Sequence, residues 1–445
     1  MIPQLQRDTP AVSTPSTTQW SLATRIGFRF VFSYFILYLG PGAVGALGLQ
    51  ERVISTPYRD FWVAIWHRVV PWVGQNILHL QGDFREIPNG SGDELYDYLL
   101  VLCILVLAAV VTVVWSWLDR RRPNYEPLHA WLRILMRLAV AAPMIGYGVN
   151  KLFQAQFPEP PLVRLIDPLG QTSPMGFLWT FMGYSRAYSF FGGLGETVAG
   201  LLILVPQLTT LASLITIGVM SNVLMLNLCY DVPRKIYSFH IILICTFLLL
   251  PQLHRLANMF VLNRPVEPER EVPLFANKQW NSLALIFQIG FGVLIFGFAS
   301  YQARLDAIKY GTHLDASLRG IWQVDDFVLN NVPHPPLLTD QERWKNVVLD
   351  TPHVINLQMM DETLQQYGLR VDEQQDKLMF AEWDSRSWKG NFTLDHSMPD
   401  RITLTGELDN RPLVVHLRRV DLSDKNRFLL VNRGFHWVNQ WALRR

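Results

Sequence analysis

Long apolar runs recur through the first two thirds of the chain and stop near residue 305. The run LYDYLLVLCILVLAAVVTVVWSWL at 95–118 is the clearest of them. About 20 apolar residues allow a helix to cross the hydrocarbon core of a bilayer. The pattern predicts a polytopic α-helical membrane protein with about seven spans. They lie at 24–47, 95–118, 128–153, 187–205, 208–228, 236–256 and 282–301.

A different pattern occupies the first long loop, YRDFWVAIWHRVVPWVGQNILHL, at 58–80. Tryptophans alternate there with arginine and histidine, and Pro71 would kink a spanning helix. Tryptophan and basic side chains are typical of helices that lie at headgroup depth. We therefore predict an interfacial helix over 58–80.

Beyond residue 306 the apolar positions alternate with polar ones in short runs, such as KLMFAEW, RITLTGEL, PLVVHLRRV and FLLVNRGFHWV. Alternation with period two, interrupted by turn residues, predicts strands. Several such strands predict a soluble all-β barrel or sandwich. Gly320-x-Trp322 resembles the start of a lipocalin, in which the tryptophan closes the barrel floor. An ordinary core tryptophan is the alternative.

These patterns divide the chain into a disordered N-terminal tail (1–21), a transmembrane domain (22–305) and an extracytoplasmic β domain (306–445). DRRR at 119–122 is the strongest local basic signal, and basic loops stay in the cytoplasm. This orientation predicts a cytoplasmic N-terminus and a periplasmic β domain.

Composition excludes several classes of function. The formal net charge is +2, and no basic block suits nucleic acid. The three cysteines form no C-x-x-C pair and fit buried apolar positions. We therefore predict no disulfide framework, no metal site and no nucleic-acid partner.

One carboxylate, Glu196, lies within the apolar stretch GGLGETVAGLLILVP. An ionisable group inside a membrane span needs a partner or a wet cavity. At 1.5 Å per residue, Arg137 and Glu196 both reach a depth of about 14 Å from opposite sides of the bilayer. The arithmetic predicts an ion pair between them near the midplane.

Further polar residues are predicted to collect in the outer half of the membrane. Two interpretations stay open, namely a ligand or catalytic pocket and a set of separate interfacial anchors with one structural ion pair. No second histidine lies at the depth of His240 in the four neighbouring spans, which argues against haem with two histidine ligands. The residues are Lys151, Glu196, Asn222, Asp231, Lys235, Tyr237 and His240.

The segments LRILMRLAVAAPMIGYGVNKLF and GGLGETVAGLLILVPQLTTLASLI resemble the DoxX family of four-helix bacterial membrane proteins. The resemblance covers about 127–260 and rests on Arg133 or Arg137, on Gly146 to Lys151, and on Glu196 with Gly200. It implies a bacterial inner-membrane protein linked to quinone-coupled oxidation. This chain lacks the paired cysteines that direct thiol chemistry would need.

Two functional hypotheses follow. In the first, the chain is the membrane component of a quinone-linked oxidoreductase with a redox partner subunit. Glu196 or His240 would exchange protons and Lys151 or Arg137 would stabilise the anionic quinone. The quinone head would contact Asn222, Asp231, Lys235 and Tyr237. In the second, the chain is a non-enzymatic membrane anchor whose lipocalin-like domain binds an apolar ligand or a protein. A lipid or solute carrier is a third, weaker possibility.

Overall fold

The computed structural model describes residues 19–40, 57–81, 84, 92–267, 273–372, 375–383, 388–424, 427–432 and 434. The predicted tail at 1–18 lies outside them. Contacts divide the chain into two bodies. The helical unit comprises 1–149 and 194–299, and the barrel unit comprises 150–193 and 300–445.

Ten α-helices are described up to residue 310. They are α1 (Leu22–Leu39), α2 (Pro57–Asn76), α3 (Leu95–Leu118), α4 (Glu126–Leu152), α5 (Pro174–Tyr184), α6 (Arg186–Leu202), α7 (Thr209–Cys229), α8 (Lys235–Leu249), α9 (Leu253–Phe260) and α10 (Lys278–Tyr310). The predicted interfacial segment is indeed helical, as α2, and contains Pro71.

Six helical segments among the described residues are long and apolar enough to cross a membrane. They are Leu22–Leu39, Leu95–Leu118, Glu126–Leu152, Pro206–Cys229, Lys235–Phe260 and Lys278–Lys309. The predicted span at 187–205 is found as α6, which has only 17 residues. That length is at the short end of the range for a helix that spans a membrane.

Side chains from other parts of the sequence complete the helix ends. Ser21 caps α1 by accepting the Thr24 N–H at 3.1 Å. The Asp93 carboxylate accepts the N–H groups of Arg234, Lys235 and Ile236 at 2.6, 2.5 and 3.0 Å. The first N–H groups of a helix lack intrahelical partners and attract negative charge. Asp93 therefore fixes the start of α8 from a distant loop.

Arg29 of α1 is almost fully buried, at 1% exposure. Its guanidinium donates to the Tyr125 hydroxyl at 2.9 Å, the Ser116 hydroxyl at 2.9 Å and the Asp119 carbonyl at 2.7 Å. These bonds offset the cost of burying the charge. They tie α1 to the end of α3 and the start of α4. We call this end of the helical unit, which carries Arg120 to Arg122, the basic end.

The barrel unit contains a closed antiparallel β-barrel, as the alternation predicted. Its strands are β1 (Gly320–Leu329), β2 (Val332–Pro333), β3 (Trp344–Thr351), β4 (Val354–Met359), β5 (Leu364–Asp372), β6 (Lys377–Ala381), β7 (Gly390–Met398), β8 (Arg401–Leu408) and β9 (Arg411–Arg419). Neighbours in sequence pair in order from β3 to β9. The barrel closes where β1 pairs with both β3 and β9, as in Trp322↔Val347 and Trp322↔Arg419.

Large side chains fill the barrel interior. Trp322, Phe327, Trp344, Phe380 and Phe392 are each at most 2% exposed and belong to one apolar cluster. The Trp322 indole N–H donates to the Leu318 carbonyl at 2.9 Å, and the Arg419 guanidinium lies 4.7 Å from its ring centre. Among the described strands, the short strand β2 pairs only with β1, so the other eight strands close the barrel. The interior of an eight-stranded barrel is just wide enough for side chains to fill it. Trp322 thus lies at the start of β1 as a buried core residue, and the lipocalin resemblance stays a prediction.

Residues 162–166 cover part of the outer surface of the barrel. Leu162 and Ile166 pack near Ile321, Val348 and Phe428. Asp350 accepts the Leu162 N–H at 2.9 Å, and Gln358 donates to the Ile166 carbonyl at 3.0 Å. The β unit therefore extends beyond the predicted 306–445 and includes a segment far away in sequence. Sequence alternation gives no sign of such a long-range contact.

The last predicted strand, FLLVNRGFHWV, is wrong where it can be compared. Residues Leu429–Asn432 form one short helical turn, α11, after the barrel has closed. The final residues, 435–445, lie outside the described part of the chain. Phe428, an apolar residue of this run, packs with Ile321 and Val348 on the outside of the barrel instead of extending the sheet.

Candidate functional site

Two adjoining cavities open among the helices of the helical unit. The first, here called the polar cavity, has a volume of about 550 Å³ and lies at the basic end. The second, called the apolar groove, has a volume of about 440 Å³. Ile134, Leu274, Ala284 and Gln288 line both of them. Polar and apolar compartments therefore meet at a shared wall.

One face of α4 supplies the charged lining of the polar cavity. Glu126, His129, Arg133 and Arg137 line it. Spacings of three and four residues place side chains on the same face of a helix. The opposite walls come from three other helix ends and carry mainly amide and hydroxyl groups, namely Gln207, Thr209, Gln252, Asn281, Ser282 and Gln288.

The neighbouring face of α4 lines the apolar groove. Trp131, Ile134, Leu135 and Leu138 follow the same helical spacing, one step round the helix from the arginines. The facing wall consists of Leu274, Phe275, Trp280, Leu283 and Phe287. Trp131 and Phe287 are 51% and 64% exposed. The groove is therefore open at the side, where a long apolar chain could leave it.

The short helix α6 explains why there is room for the polar cavity. A Cβ on Gly200 would lie 2.9 Å from Met144 Cβ and Ile145 Cγ1. One on Gly292 would lie 2.5 Å from Leu204 Cδ1. These close approaches pack the end of α6 against α4 and α10. The chain then turns at Pro206 and Gln207, which line the cavity, instead of continuing as helix beside Arg133.

Gln288 of α10 presents a buried acceptor at the shared wall. Its side chain is 3% exposed, and Nε2 donates to the Ala284 carbonyl at 3.0 Å. Its Oε1 is buried without a hydrogen-bond partner among the described residues. If the amide were flipped, Oε1 would face the Ala284 carbonyl oxygen, and two acceptors cannot bond to each other. The unflipped orientation therefore holds, and Oε1 is the atom without a partner. Such an atom is costly unless water or a ligand donates to it.

The charge of the polar cavity is formally positive, because two arginines face one glutamate. Arg133 is held in place by a 2.8 Å bond from Nη1 to the Leu248 carbonyl at the end of α8. Arg137 is buried, at 7% exposure. Two guanidinium groups one turn apart form a setting suited to an anion.

Arg137 is the predicted site residue that lines this cavity, and its predicted ion pair with Glu196 stays a prediction. Arg137 and Gln207 share the cavity, and Gly200 meets Met144 two turns further along α4. Glu196 precedes Gly200 by one turn on α6 and is buried, at 3% exposure.

His240 contacts both its own helix, α8, and two tyrosines of α1. Its Nδ1 is 2.7 Å from the Ile236 carbonyl and its Nε2 is 2.5 Å from the Tyr34 hydroxyl. Since the carbonyl can only accept, Nδ1 carries the proton and Nε2 accepts from Tyr34. Tyr38 stacks on the ring at 3.9 Å. These contacts join α1 to α8, and proton exchange by His240 stays a prediction.

The other predicted residues line neither of the two cavities. Lys151 is buried with its Nζ 5.9 Å from the Phe157 ring, and Asn222 is exposed on α7. Asp231 and Lys235 contact each other at 3.4 Å in the turn before α8, and the Tyr237 ring lies 6.3 Å from Tyr147. Glu196 is buried, at 3% exposure. Their assembly into one outer pocket stays a prediction.

Several lining residues were missed by the sequence reasoning, above all Gln207, Gln252 and Gln288. A glutamine inside an apolar span is a detectable signal, since Gln288 interrupts LALIFQIGFGVLIF. The charged residues drew attention because they are costlier to bury. Within the part of the chain that is described, no group of three histidine, cysteine, aspartate or glutamate side chains could hold a metal ion.

The fold and the cavities define a class, a helical membrane protein with a ligand-sized polar cavity and a C-terminal β-barrel. The chain is 31% identical over 115 residues to the uncharacterized protein YwoB of Bacillus subtilis (strain 168). The match covers 25% of this chain and 71% of that protein. The chain therefore belongs to the same family as YwoB. No family model and no solved structure matches it.

Proposed function

We propose that the chain is a membrane-embedded binding protein for an amphipathic molecule. The head of the ligand would occupy the polar cavity and its apolar chain would lie along the apolar groove. The single observation that carries this proposal is the shared wall of Ile134, Leu274, Ala284 and Gln288 between the two compartments. Sites for small molecules typically combine an apolar lining with a few placed polar groups.

The packing of the barrel favours the helical unit as the binding site. The lipocalin-like hypothesis needs an internal cavity, but Trp322, Trp344 and Phe380 fill the barrel axis. Protein interiors of this kind leave few voids larger than a water molecule. A protein partner on the outside of the barrel stays compatible with this packing.

A quinone-linked oxidoreductase component is the second candidate. A quinone is also amphipathic, and His129 and Arg137 line one cavity. An imidazole can exchange protons, and a guanidinium can stabilise a developing oxyanion. The DoxX resemblance supports this candidate, which also requires a redox partner subunit.

Purification in a mild detergent, followed by solvent extraction and mass spectrometry, tests the proposal. We expect a lipid or a quinone to accompany the wild-type chain. Ala284→Trp would fill the shared wall and should remove most of that molecule. Val293→Trp, on the exposed side of the same helix, is the matched control and should retain it.

The result that would contradict the proposal is equal ligand content in the wild type and Ala284→Trp, provided that both melt cooperatively at similar temperature. If Ala284→Trp fails to fold, Leu135→Trp blocks the groove from α4 and serves the same purpose. A quinone in the extract favours the oxidoreductase candidate, and a lipid favours binding.

We further propose that the basic end faces the cytoplasm and the barrel lies in the periplasm of a bacterial inner membrane. The support is the cluster Arg120 to Arg122 at one helix end. Alkaline phosphatase fused after Leu318 should be active. An inactive phosphatase fusion together with a fluorescent green-protein fusion at the same point would reverse the orientation.

A further inference from the structure

The lining of the polar cavity carries more information than the amphipathic character of its ligand. We propose that the head of the ligand is a phosphate ester that also carries a hydroxyl or ammonium donor. This inference rests on the proposed binding function and adds the chemical class of the head group. It follows from Arg133, Arg137 and Gln288 together.

The first argument concerns the anion. Arg133 and Arg137 lie one turn apart on α4, and Glu126 is the one carboxylate that lines the described cavity. The planar guanidinium fork matches the oxygens of phosphate or carboxylate, and two forks suit a group with several oxygens.

The second argument concerns the donor. Gln288 is 97% buried at the wall shared by the two compartments, since its exposure is 3%. Its Oε1 is an acceptor and has no partner among the described residues. An ionised phosphate or carboxylate offers only acceptors, so neither can satisfy this oxygen by itself. A hydroxyl or ammonium next to the phosphate can.

The third argument concerns position. Gln288 lines both compartments, whereas Arg133 and Arg137 line the polar cavity alone. The arginines therefore lie on the side of the phosphate, and Gln288 lies where the head group meets the apolar chain. Phosphoglycerides of the glycerol or ethanolamine type combine these features, as does a soluble phosphate ester with a neighbouring hydroxyl.

Binding measurements on the full chain in detergent separate these features. The probes share the same acyl chains: phosphatidylglycerol with phosphate and hydroxyls, phosphatidylcholine with phosphate but no donor, and diacylglycerol with a hydroxyl but no phosphate. A fatty acid and free glycerol phosphate complete the set. We expect phosphatidylglycerol to bind about tenfold more tightly than phosphatidylcholine or diacylglycerol, the size of one charge-assisted hydrogen bond.

Variants assign the preference to residues. Arg133→Gln and Arg137→Gln should each weaken phosphatidylglycerol binding about tenfold and leave diacylglycerol unchanged. Gln288→Leu should abolish the preference for phosphatidylglycerol over phosphatidylcholine. Arg264→Gln removes an exposed charge that does not line the cavity and should change nothing.

The outcomes are distinguishable. Equal binding of diacylglycerol, or tighter binding of the fatty acid, overturns the phosphate ester. Equal binding of phosphatidylcholine overturns the donor. Glycerol phosphate binding as tightly as phosphatidylglycerol upholds the head group but contradicts the apolar groove as part of the site. If no probe binds, the proposed function fails together with this inference.

Discussion

The interiors of the two units differ in what they do with polar groups. The barrel interior consists of aromatic and aliphatic side chains around Trp322, and its buried amides lie outside that core and are bonded. The helical unit buries Arg137, Gln252 and Gln288 beside a cavity of about 550 Å³. A closed sheet satisfies its backbone and can be filled completely, whereas helix ends leave polar groups and space. This difference is why we propose that the helices bind the ligand and that the barrel core has a structural role.

The largest expected effect comes from emptying the barrel core. Trp322→Ala should destabilise the barrel unit by about 3–5 kcal/mol, because it leaves a cavity in a filled interior. Chemical unfolding followed by near-ultraviolet circular dichroism measures the change. Trp383→Ala removes the same side chain from a position that is 59% exposed and should cost little. Equal effects of the two substitutions would contradict the filled interior.

A matched pair of glutamines sharpens the comparison. Gln358 of the barrel unit accepts from Asn346 at 2.7 Å and donates to the Ile166 carbonyl at 3.0 Å. Gln358→Leu should therefore cost about 1–3 kcal/mol, because it leaves buried partners unsatisfied. Gln288→Leu in the helical unit removes an acceptor without a described partner and should leave the ligand-free melting temperature nearly unchanged. If Gln288→Leu lowered the melting temperature more than Gln358→Leu, the proposed difference between the two buried glutamines would be wrong.

The smallest effect is the response of the barrel to acid. Burial opposes ionisation of Asp340, but the hydrogen bond with His334 and the N–H groups of Glu342 and Arg343 outweigh it and lower the pKa of the carboxyl. A lowered pKa means that the unfolded chain takes up more protons. The contribution to stability is thus present above the ordinary pKa of about 3.9 and is lost as the pH falls through the folded value.

Comparison of the wild type with Asp340→Asn measures this contribution. The difference in unfolding free energy should be constant near pH 5 and shrink below about pH 4. A difference that does not change with pH would show that the Asp340 carboxylate contributes nothing to folding.

Local pattern was enough to predict most of the architecture. The run at 95–118 and the alternation after residue 320 yielded a helix and a barrel, because length and periodicity are properties of neighbouring residues. The contact of Leu162 with Asp350 joins residues 188 positions apart, and no period in the sequence reports it. The close approach of Gly200 on α6 to Met144 on α4 is a long-range contact of the same kind.

The candidate site was predicted only in part. Arg137 was identified because a buried cation is conspicuous in an apolar run. Asp93 could not be assigned to the start of α8, because capping across 141 positions requires the fold. The polar cavity lies at the basic end, where linker residues such as Leu274 and Phe275 meet the helices. Their sequence alone indicated only a linker.

Photo-cross-linking with a phosphoglyceride that carries a diazirine in its acyl chain tests the central claim, that the helices and not the barrel hold the ligand. After digestion, mass spectrometry should locate the label in 126–138 and 273–288. An excess of the unlabelled lipid and the substitution Ala284→Trp should both reduce it. A competable label within 320–419 would place the ligand in the barrel and contradict the account.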